Sequence, residues 1–147
     1  MSRPVRVAVR AIILRDNKLC LVNAWPGGKG DILCCPGGGV EPRSSLPENL
    51  AREVWEETGM RIEVGHPCLV NEFHDPDSDY HQVEVFFHAT AQNDPPDGWA
   101  DPEGIVSDIR WVSRDEIGSL RARPASLAAI VWHGASMIYD PLEPILR

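Results

Sequence analysis

The chain has 147 residues, the length of one domain that can bury a hydrophobic core. Its formal net charge of −8 at pH 7 argues against nucleic-acid or membrane partners, because such partners require basic patches. The negative charge does not exclude small phosphorylated ligands, since a metal ion can bridge two negatively charged groups. The first four residues carry no signal-peptide pattern and no long apolar run follows, so we expect a single cytoplasmic domain over residues 1–147.

Short strands are predicted for the N-terminal quarter of the chain. Residues 5–14 alternate and then become fully apolar, which is typical of a strand, and a turn at 15–18 leads to a returning strand at 19–22. Residues 25–30 form a glycine-containing loop, and an apolar run at 32–35 follows. Two of the four cysteines, Cys34 and Cys35, lie in that run without metal-ligand spacing. We interpret them as small strand residues and leave a reactive thiol open.

The stretch over residues 36–60 carries the strongest local signals. Its three successive glycines, Gly37–Gly39, can adopt positive φ and let a ligand approach the backbone closely. Ser45 and Glu48 have the spacing of a capping box, and Gly59 suits the left-handed position beyond a helix end. We therefore predict a glycine loop that leads into a helix over residues 46–58.

Three glutamates of this helix, Glu53, Glu56 and Glu57, fall on one arc at helical spacing. Glu53 and Glu57 are like charges at i,i+4, which costs roughly 0.2–0.5 kcal/mol. The helix dipole also disfavours anions in these last turns. A bound divalent cation removes both penalties, and carboxylate oxygens suit Mg²⁺ or Mn²⁺. A solvated acidic face is the alternative, and the adjacent glycine loop favours the metal site.

Gly38 and the run from Arg52 to Met60 resemble the Nudix box, whose pattern is G-x5-E-x7-R-E-U-x-E-E-x-G-U with U a bulky aliphatic residue. Every fixed position matches except the first glutamate, which is Ser44 here, and Arg43 stands where the family usually has a glycine. The resemblance implies an α/β fold, namely a Nudix-like α/β/α sandwich with a mixed β-sheet and the box helix beside the substrate cleft.

The resemblance also implies an activity. Similar family members use Mg²⁺ or Mn²⁺ to hydrolyse the pyrophosphate of a nucleoside diphosphate linked to another group. On that pattern Glu53, Glu56 and Glu57 hold metal, the backbone carbonyl of Gly37 is a further ligand, and one carboxylate takes the proton of the attacking water. Arg52 then orients the glutamates by ion pairing. The implied partner is a small-molecule nucleoside diphosphate derivative, and a homodimer is left open.

Such enzymes usually add one more carboxylate from further along the chain. We select Glu103, in the loop over residues 93–104 that is rich in Pro, Asp and Gly, with Asp108 and Glu84 as alternatives. The missing carboxylate at Ser44 would have paired with Arg52. We expect Glu48 or Glu41 to replace it, because Glu48 lies four residues before the arginine on the same helix face.

The second half of the chain is expected to complete the sheet. Strands at 62–73, interrupted at Gly65 and Pro67, and at 82–91 flank a hairpin loop. The spaced aspartates of that loop fail the EF-hand pattern, because Tyr80 occupies the glycine position. A last strand at 105–112, a capped short helix from residue 113 and a C-terminal helix from Pro124 to Trp132 follow.

Two further features of the sequence indicate which substrate is expected and whether hydrolysis is retained. Pro76 lies sixteen residues beyond Met60, a placement that resembles the ADP-ribose-cleaving members, so the expected substrate is ADP-ribose or a nucleotide sugar. Members that cleave dinucleoside polyphosphates tend to carry a tyrosine in this region, and Tyr80 is only roughly placed for that. Ser44 also allows a sensor domain that has lost hydrolysis, and the scaffold can carry isomerisation of a prenyl diphosphate.

Overall fold

The computed structural model describes residues 3–28 and 30–146. Within these residues the elements follow in the order β1 (Arg6–Arg15), β2 (Lys18–Asn23), β3 (Ile32–Cys34), β4 (Gly37–Gly39), α1 (Leu46–Thr58), β5 (Ile62–Asp75), β6 (Tyr80–Ala91), β7 (Ile109–Val112), α2 (Arg114–Ile117), β8 (Arg121–Arg123), α3 (Leu127–Trp132) and β9 (Ile138–Pro144). A 3-10 turn at Pro26–Gly28 lies in the loop predicted over residues 25–30. None of the helices in the described residues is long and apolar enough to cross a membrane.

The strands form one mixed sheet with the order β8-β3-β2-β1-β6-β5-β9, in which β4 pairs with β1 and β7 pairs with β2. β1 and β6 are parallel, and they are neighbours although residues far apart in sequence form them. β5 and β6 form a long antiparallel hairpin that closes between Asp75 and Tyr80, at the loop predicted to connect them. This arrangement brings β1, β6 and β5 side by side at the centre of the sheet.

Alternation along β1 divides the hydrophobic core into two layers. Val9 and Ile13 pack in one buried cluster with Leu50 of α1. Ile12 belongs to a second cluster that contains Leu127 of α3. Helices therefore cover both faces of a mixed sheet, and the predicted α/β/α sandwich is confirmed.

Helix α1 begins and ends at the predicted residues. The Ser45 hydroxyl accepts the backbone N–H of Glu48 at 3.1 Å, and the Glu48 carboxylate accepts the backbone N–H of Ser45, which completes the capping box. At the other end Gly59 has φ of +73° and donates its N–H to the carbonyl oxygen of Trp55 at 2.8 Å. The short helix predicted from residue 113 is capped in the same way by Ser113.

The strand predicted over 105–112 is confirmed only from Ile109 to Val112. The side chain of Asn23 takes the hydrogen-bonding role of a neighbouring strand over the preceding residues. Its amide donates to the carbonyl oxygen of Ile105 at 2.7 Å, and its oxygen accepts the N–H groups of Ser107 and Asp108. These residues therefore need no strand partner.

Three short strands, β4, β8 and β9, were not predicted. β4 consists of three glycines, which are poor strand formers. β9 contains Pro141 and Pro144 and lies at the edge of the sheet, where a missing N–H is tolerated. The interruption predicted at Gly65 and Pro67 is a pair of register shifts within the continuous strand β5. The C-terminal helix ends at Trp132 as predicted but begins at Leu127, three residues after Pro124.

Candidate active site

The glycine loop lies directly against the carboxylates of α1. Gly37 has φ of +153°, and a Cβ there would overlap the carbonyl oxygen of Val9 in the paired strand β1. A Cβ on Gly38 would overlap the carboxylate of Glu53. The approach of Gly37 to β1 requires a glycine, and the loop and the helix together form one side of the candidate site.

Glu57 reaches the start of the loop, where its Oε1 accepts the N–H of Gly37 at 2.7 Å. Burial raises the pKa of Glu57 to about 8, and repulsion from Glu53 and Asp101 adds to the increase. Attraction to Arg10 and the Gly37 hydrogen bond oppose it without cancelling it. The surrounding protein therefore stabilises the charge of this carboxylate incompletely.

Arg52 holds the other two box glutamates together. Its Nη1 lies 3.1 Å from Oε1 of Glu53 and 3.5 Å from Oε2 of Glu56. Burial raises the pKa of Glu53, and repulsion from Glu56 and Glu103 contributes, although Arg52 lowers it. The arrangement is the one expected of an arginine that orients these carboxylates.

Of the two candidates to replace the missing carboxylate at Ser44, the structure favours Glu41. Its Oε1 lies 3.9 Å from Nη2 of Arg52, whereas the Glu48 carboxylate is occupied at the helix N-terminus. A residue that the sequence analysis missed also contacts the arginine, since Oδ1 of Asn49 accepts from Nη2 at 3.0 Å.

Asn49 ties the segment before the helix to the helix itself. Its side chain is buried, its amide donates to the carbonyl oxygens of Ser44 and Ser45, and its oxygen accepts the N–H of Glu41. The signal that could have identified it is a polar residue three positions after Leu46, on the apolar side of the helix.

The three candidates for the downstream carboxylate have different surroundings. Asp108 pairs with Arg110, whose Nε lies 2.8 Å away. Glu84 is buried in a hydrogen-bonded cluster described below. Glu103 has no ion-pair partner in the described part of the chain, and its charge reaches Glu53. The surroundings therefore favour Glu103, as selected from the sequence.

A Mg²⁺ or Mn²⁺ ion fits the donors at this site. They are carboxylate oxygens that repel one another, together with the carbonyl of Gly37. That carbonyl accepts from Nη1 of Arg10 at 3.3 Å, and a carbonyl oxygen has a second lone pair for another partner. In residues 3–28 and 30–146 no three acidic, histidine or cysteine side chains stand close enough to hold a metal ion. A bound ion would therefore have to draw the carboxylates closer together.

A cleft of about 420 Å³ adjoins the glycine loop. Alternate residues of three neighbouring strands share its floor, because successive strand residues point to opposite faces. Register pairs Asn71 with Glu84 and Phe73 with Gln82 across the hairpin. On these three strands the residues that line the cleft are Arg6 and Arg10 of β1, Tyr80, Gln82 and Glu84 of β6, and Asn71, Phe73 and Asp75 of β5.

Glu84, only 6% exposed, is the centre of a hydrogen-bonded cluster in this floor. Its carboxylate accepts hydrogen bonds from Nε of Arg10 at 2.6 Å, Nε2 of Gln82 at 3.0 Å and Nδ2 of Asn71 at 3.4 Å. A carboxylate with three donors has little capacity left for a metal ion, which disfavours the Glu84 alternative. Arg10 also donates to the carbonyl oxygens of Cys35 and Gly37, so one cation joins the cleft to the glycine loop.

The cluster leaves one acceptor unused. Because the Glu84 carboxylate can only accept, the amide nitrogen of Asn71 must face it, and this fixes the orientation of the amide. Oδ1 of Asn71 is buried and has no hydrogen-bond partner within the described residues. A buried acceptor without a partner costs roughly 1–3 kcal/mol, so a donor from a ligand or water would stabilise the cleft floor.

Most cleft residues were missed in the sequence, although a signal was present. Arg6 and Arg10 alternate with apolar residues along the first predicted strand, and Gln82 and Glu84 do so along β6. Two strands with one polar and one apolar face indicate a ligand-facing surface when the polar residues are buried. The 74–81 loop contributes as well, since Asp75, Ser78 and Tyr80 line the cleft.

Cys34 lies in β3 as predicted, whereas Cys35 follows the end of that strand. All four are free. Burial raises the pKa of the Cys34 thiol to about 11 and that of Cys20 to about 12. Thiols that stay protonated at neutral pH are poor nucleophiles.

The family model described as NUDIX domain matches residues 4–132. An ADP-ribose pyrophosphatase of Methanocaldococcus jannaschii is 34% identical over 83 residues, which cover 55% of this chain and 48% of that protein. Phosphatase NudJ of Escherichia coli is 28% identical over 117 residues, covering 80% and 73% respectively. A solved NUDIX hydrolase from Nitrosomonas europaea has a TM-score of 0.75 at 25% identity, with 93% of each chain covered. The chain thus spans about half the length of the archaeal relative.

Proposed function

The chain belongs to the Nudix family, and we propose that it is a pyrophosphohydrolase that uses Mg²⁺ or Mn²⁺ to cleave a nucleoside diphosphate linked to a further group. The observation that carries the proposal is the contact between the box glutamates and the glycine loop, next to an arginine-lined cleft. Glutamates that repel one another beside a backbone carbonyl suit a cation, and arginines nearby suit a phosphorylated ligand.

In this proposal Glu53, Glu56, Glu57 and Glu103 hold the metal with the carbonyl oxygen of Gly37. When bound, the divalent ion screens the charge of the pyrophosphate and acidifies a water molecule. One of the box carboxylates accepts the proton of that water. Arg52 keeps Glu53 and Glu56 in place through its contacts of 3.1 and 3.5 Å.

The cleft binds the part of the substrate beyond the pyrophosphate. Aromatic residues suit a base or sugar, and the rings of Phe73 and Tyr80 lie with centroids 6.1 Å apart. Arg6 and Arg10 are placed to contact phosphate oxygens, and Oδ1 of Asn71 offers an acceptor to an N–H or O–H of the ligand. A cleft of this size holds a nucleoside-sized group.

We infer that the substrate is ADP-ribose or a nucleotide sugar. Pro76 lies in the hairpin loop, between Asp75 and Ser78, which line the cleft. Its position in the sequence resembles that of a proline in ADP-ribose-cleaving members. The archaeal relative that matches this chain is an ADP-ribose pyrophosphatase. Tyr80 also lines the cleft, so dinucleoside polyphosphates are the substrates to compare.

The test is a substrate comparison with each metal. Purified protein is assayed on ADP-ribose, a nucleotide sugar, dATP and a dinucleoside polyphosphate with Mg²⁺ or Mn²⁺, and again in excess chelator. We expect kcat/KM to be highest for ADP-ribose or the nucleotide sugar, and turnover to cease in chelator. Full activity in chelator would contradict the metal role, and a hundredfold preference for dATP or the dinucleoside polyphosphate would refute the substrate inference.

A second candidate is a ligand-binding sensor of the same fold. Ser44 favours it, because the carboxylate that stands near Arg52 in place of the family glutamate is the exposed Glu41, at 3.9 Å. Calorimetric titration with ADP-ribose separates the two functions. Metal-dependent binding without release of a phosphate-bearing fragment, together with turnover in Ser44→Glu, would establish the sensor.

A further inference from the structure

The loop after β6 packs against the C-terminal end of the box helix. The indole Nε1 of Trp99 donates to the carbonyl oxygen of Glu56 at 2.9 Å. Its ring meets Trp55 edge to face, with centroids 5.0 Å apart. Gly59 makes room for this contact, because a Cβ there would lie 2.6 Å from Cδ of Pro96 and 2.8 Å from the Trp99 ring.

The indole satisfies a backbone group that the helix leaves without a partner. The last carbonyls of a helix have no intrahelical donor. Here the N–H of Gly59 goes to Trp55, and the N–H of Met60 goes to the hydroxyl of Thr58, so neither serves Glu56. Trp99 supplies the donor from outside the helix, which links the loop to the residue that carries a box carboxylate.

The same loop carries Glu103 four residues later. Between them the carboxylate of Asp101 accepts the N–H groups of Glu103, Ile105 and Val106 at 2.9–3.2 Å and shapes the turn. Glu103 is therefore connected to Trp99 by a short stretch that is held by its own hydrogen bonds. Its charge is close enough to Glu53 to add to the repulsion on that carboxylate.

We propose that Trp99 is a positioning residue that fixes Glu103 beside the box carboxylates by clamping the loop onto the helix end. In this proposal Trp99 is not itself a metal ligand, and its effect passes through Glu103. The inference rests on the proposed metal-dependent hydrolysis. It adds that the metal site is completed by the docking of a loop.

The first experiment removes the clamp in two steps. Trp99→Phe keeps a ring and loses the N–H donor, and Trp99→Leu loses both contacts. Mn²⁺ affinity is measured by titration calorimetry or electron paramagnetic resonance, and kcat is measured on ADP-ribose. We expect Trp99→Phe to weaken Mn²⁺ binding about three- to tenfold, the range for loss of one net hydrogen bond, and Trp99→Leu to weaken it further.

The matched control is Trp132→Phe. The Trp132 indole also donates to a backbone carbonyl, that of Asn17 at 3.2 Å, but it lies in α3. The control should retain Mn²⁺ affinity within twofold of wild type. An equal loss in the Trp99 and Trp132 variants would overturn the proposal, because it would show a general effect of removing an indole. Should Trp99→Leu fail to fold by circular dichroism, Trp99→Phe carries the test.

A double-mutant cycle with Glu103→Gln decides whether Trp99 acts through Glu103. We expect the Trp99 substitution to weaken Mn²⁺ binding in the wild-type background and to have no further effect in the Glu103→Gln background. Losses that multiply would show that Trp99 acts through another group, and the positioning role would be wrong. A wild-type protein that binds no Mn²⁺ would overturn the proposed function as well, which distinguishes the two failures.

Discussion

Two glutamates of this protein, the buried Glu84 and the partly buried Glu57, differ in how their charges are stabilised. Glu84 in the cleft floor accepts hydrogen bonds from Arg10, Gln82 and Asn71. Glu57 beside the glycine loop accepts one backbone N–H, and burial raises its pKa to about 8. Both carboxylates pay a desolvation cost, but they differ in the number of hydrogen-bond donors that offset it.

The difference separates a carboxylate that stabilises the fold from one that we propose binds a metal ion. A buried carboxylate with a full set of donors is stable without a ligand, and its removal would leave Arg10 uncompensated. A carboxylate that is short of donors and repelled by Glu53 gains most when a cation arrives. The number of donors around each acid is therefore a better guide to its role than its distance from the glycine loop.

The largest expected effect tests the structural side of this comparison. Arg10→Met should lower the free energy of unfolding by about 3–5 kcal/mol, because Glu84 would be left as a buried charge without its cation. The measurement is urea denaturation. Arg110→Met is the matched control, since its pair with Asp108 is half exposed and should contribute about 0–1 kcal/mol. Equal losses in the two variants would contradict the role assigned to Arg10.

The next effect tests the catalytic side. Glu56→Gln and Glu57→Gln should each lower kcat on the order of 10²-fold or more, because each removes a proposed metal ligand. The unfolding free energy of Glu57→Gln should stay the same or rise by roughly 0.2–0.5 kcal/mol, because its like-charge repulsion with Glu53 is relieved. Glu84→Gln should instead destabilise the fold. Wild-type kcat in both box variants would rule out the proposed metal ligands.

A smaller effect is expected around Arg52. Ser44→Glu restores the carboxylate of the family pattern and should raise kcat about tenfold, as one charge-assisted contact is regained. Glu41→Gln should lower kcat by about fivefold or less, since Glu41 is largely exposed and 3.9 Å from the guanidinium. Steady-state kinetics on the same substrate measures both. No change in either variant would mean that Arg52 needs no further carboxylate.

The smallest effect is expected for Glu48→Gln. The Glu48 side chain completes the capping box of α1, and glutamine can replace that hydrogen bond without the charge. Stability should fall by about 0.3–1 kcal/mol, the contribution of an anion near a helix N-terminus, and kcat should not change. A tenfold loss of kcat measured in the same assay would instead support Glu48 as the partner of Arg52.

The sequence by itself determined the helix at the centre of the site. Its capping box, its terminal glycine and its glutamate arc depend on residues three or four positions apart, so they can be read without knowing the rest of the fold. The resemblance of this stretch to the Nudix box identified the family, which implied the sandwich. Strands with strong alternation, such as β1, were predicted for the same local reason.

Only the tertiary structure decided which distant residues meet. Arg10, Asn71 and Glu84 lie on three strands whose order depends on a parallel pairing between β1 and β6, and no local pattern contains that pairing. The replacement of a strand by the side chain of Asn23 and the bond from Trp99 to Glu56 arise in the same way. The physical reason is that these groups satisfy backbone and charge requirements across long loops, whereas a helix satisfies its own within one turn.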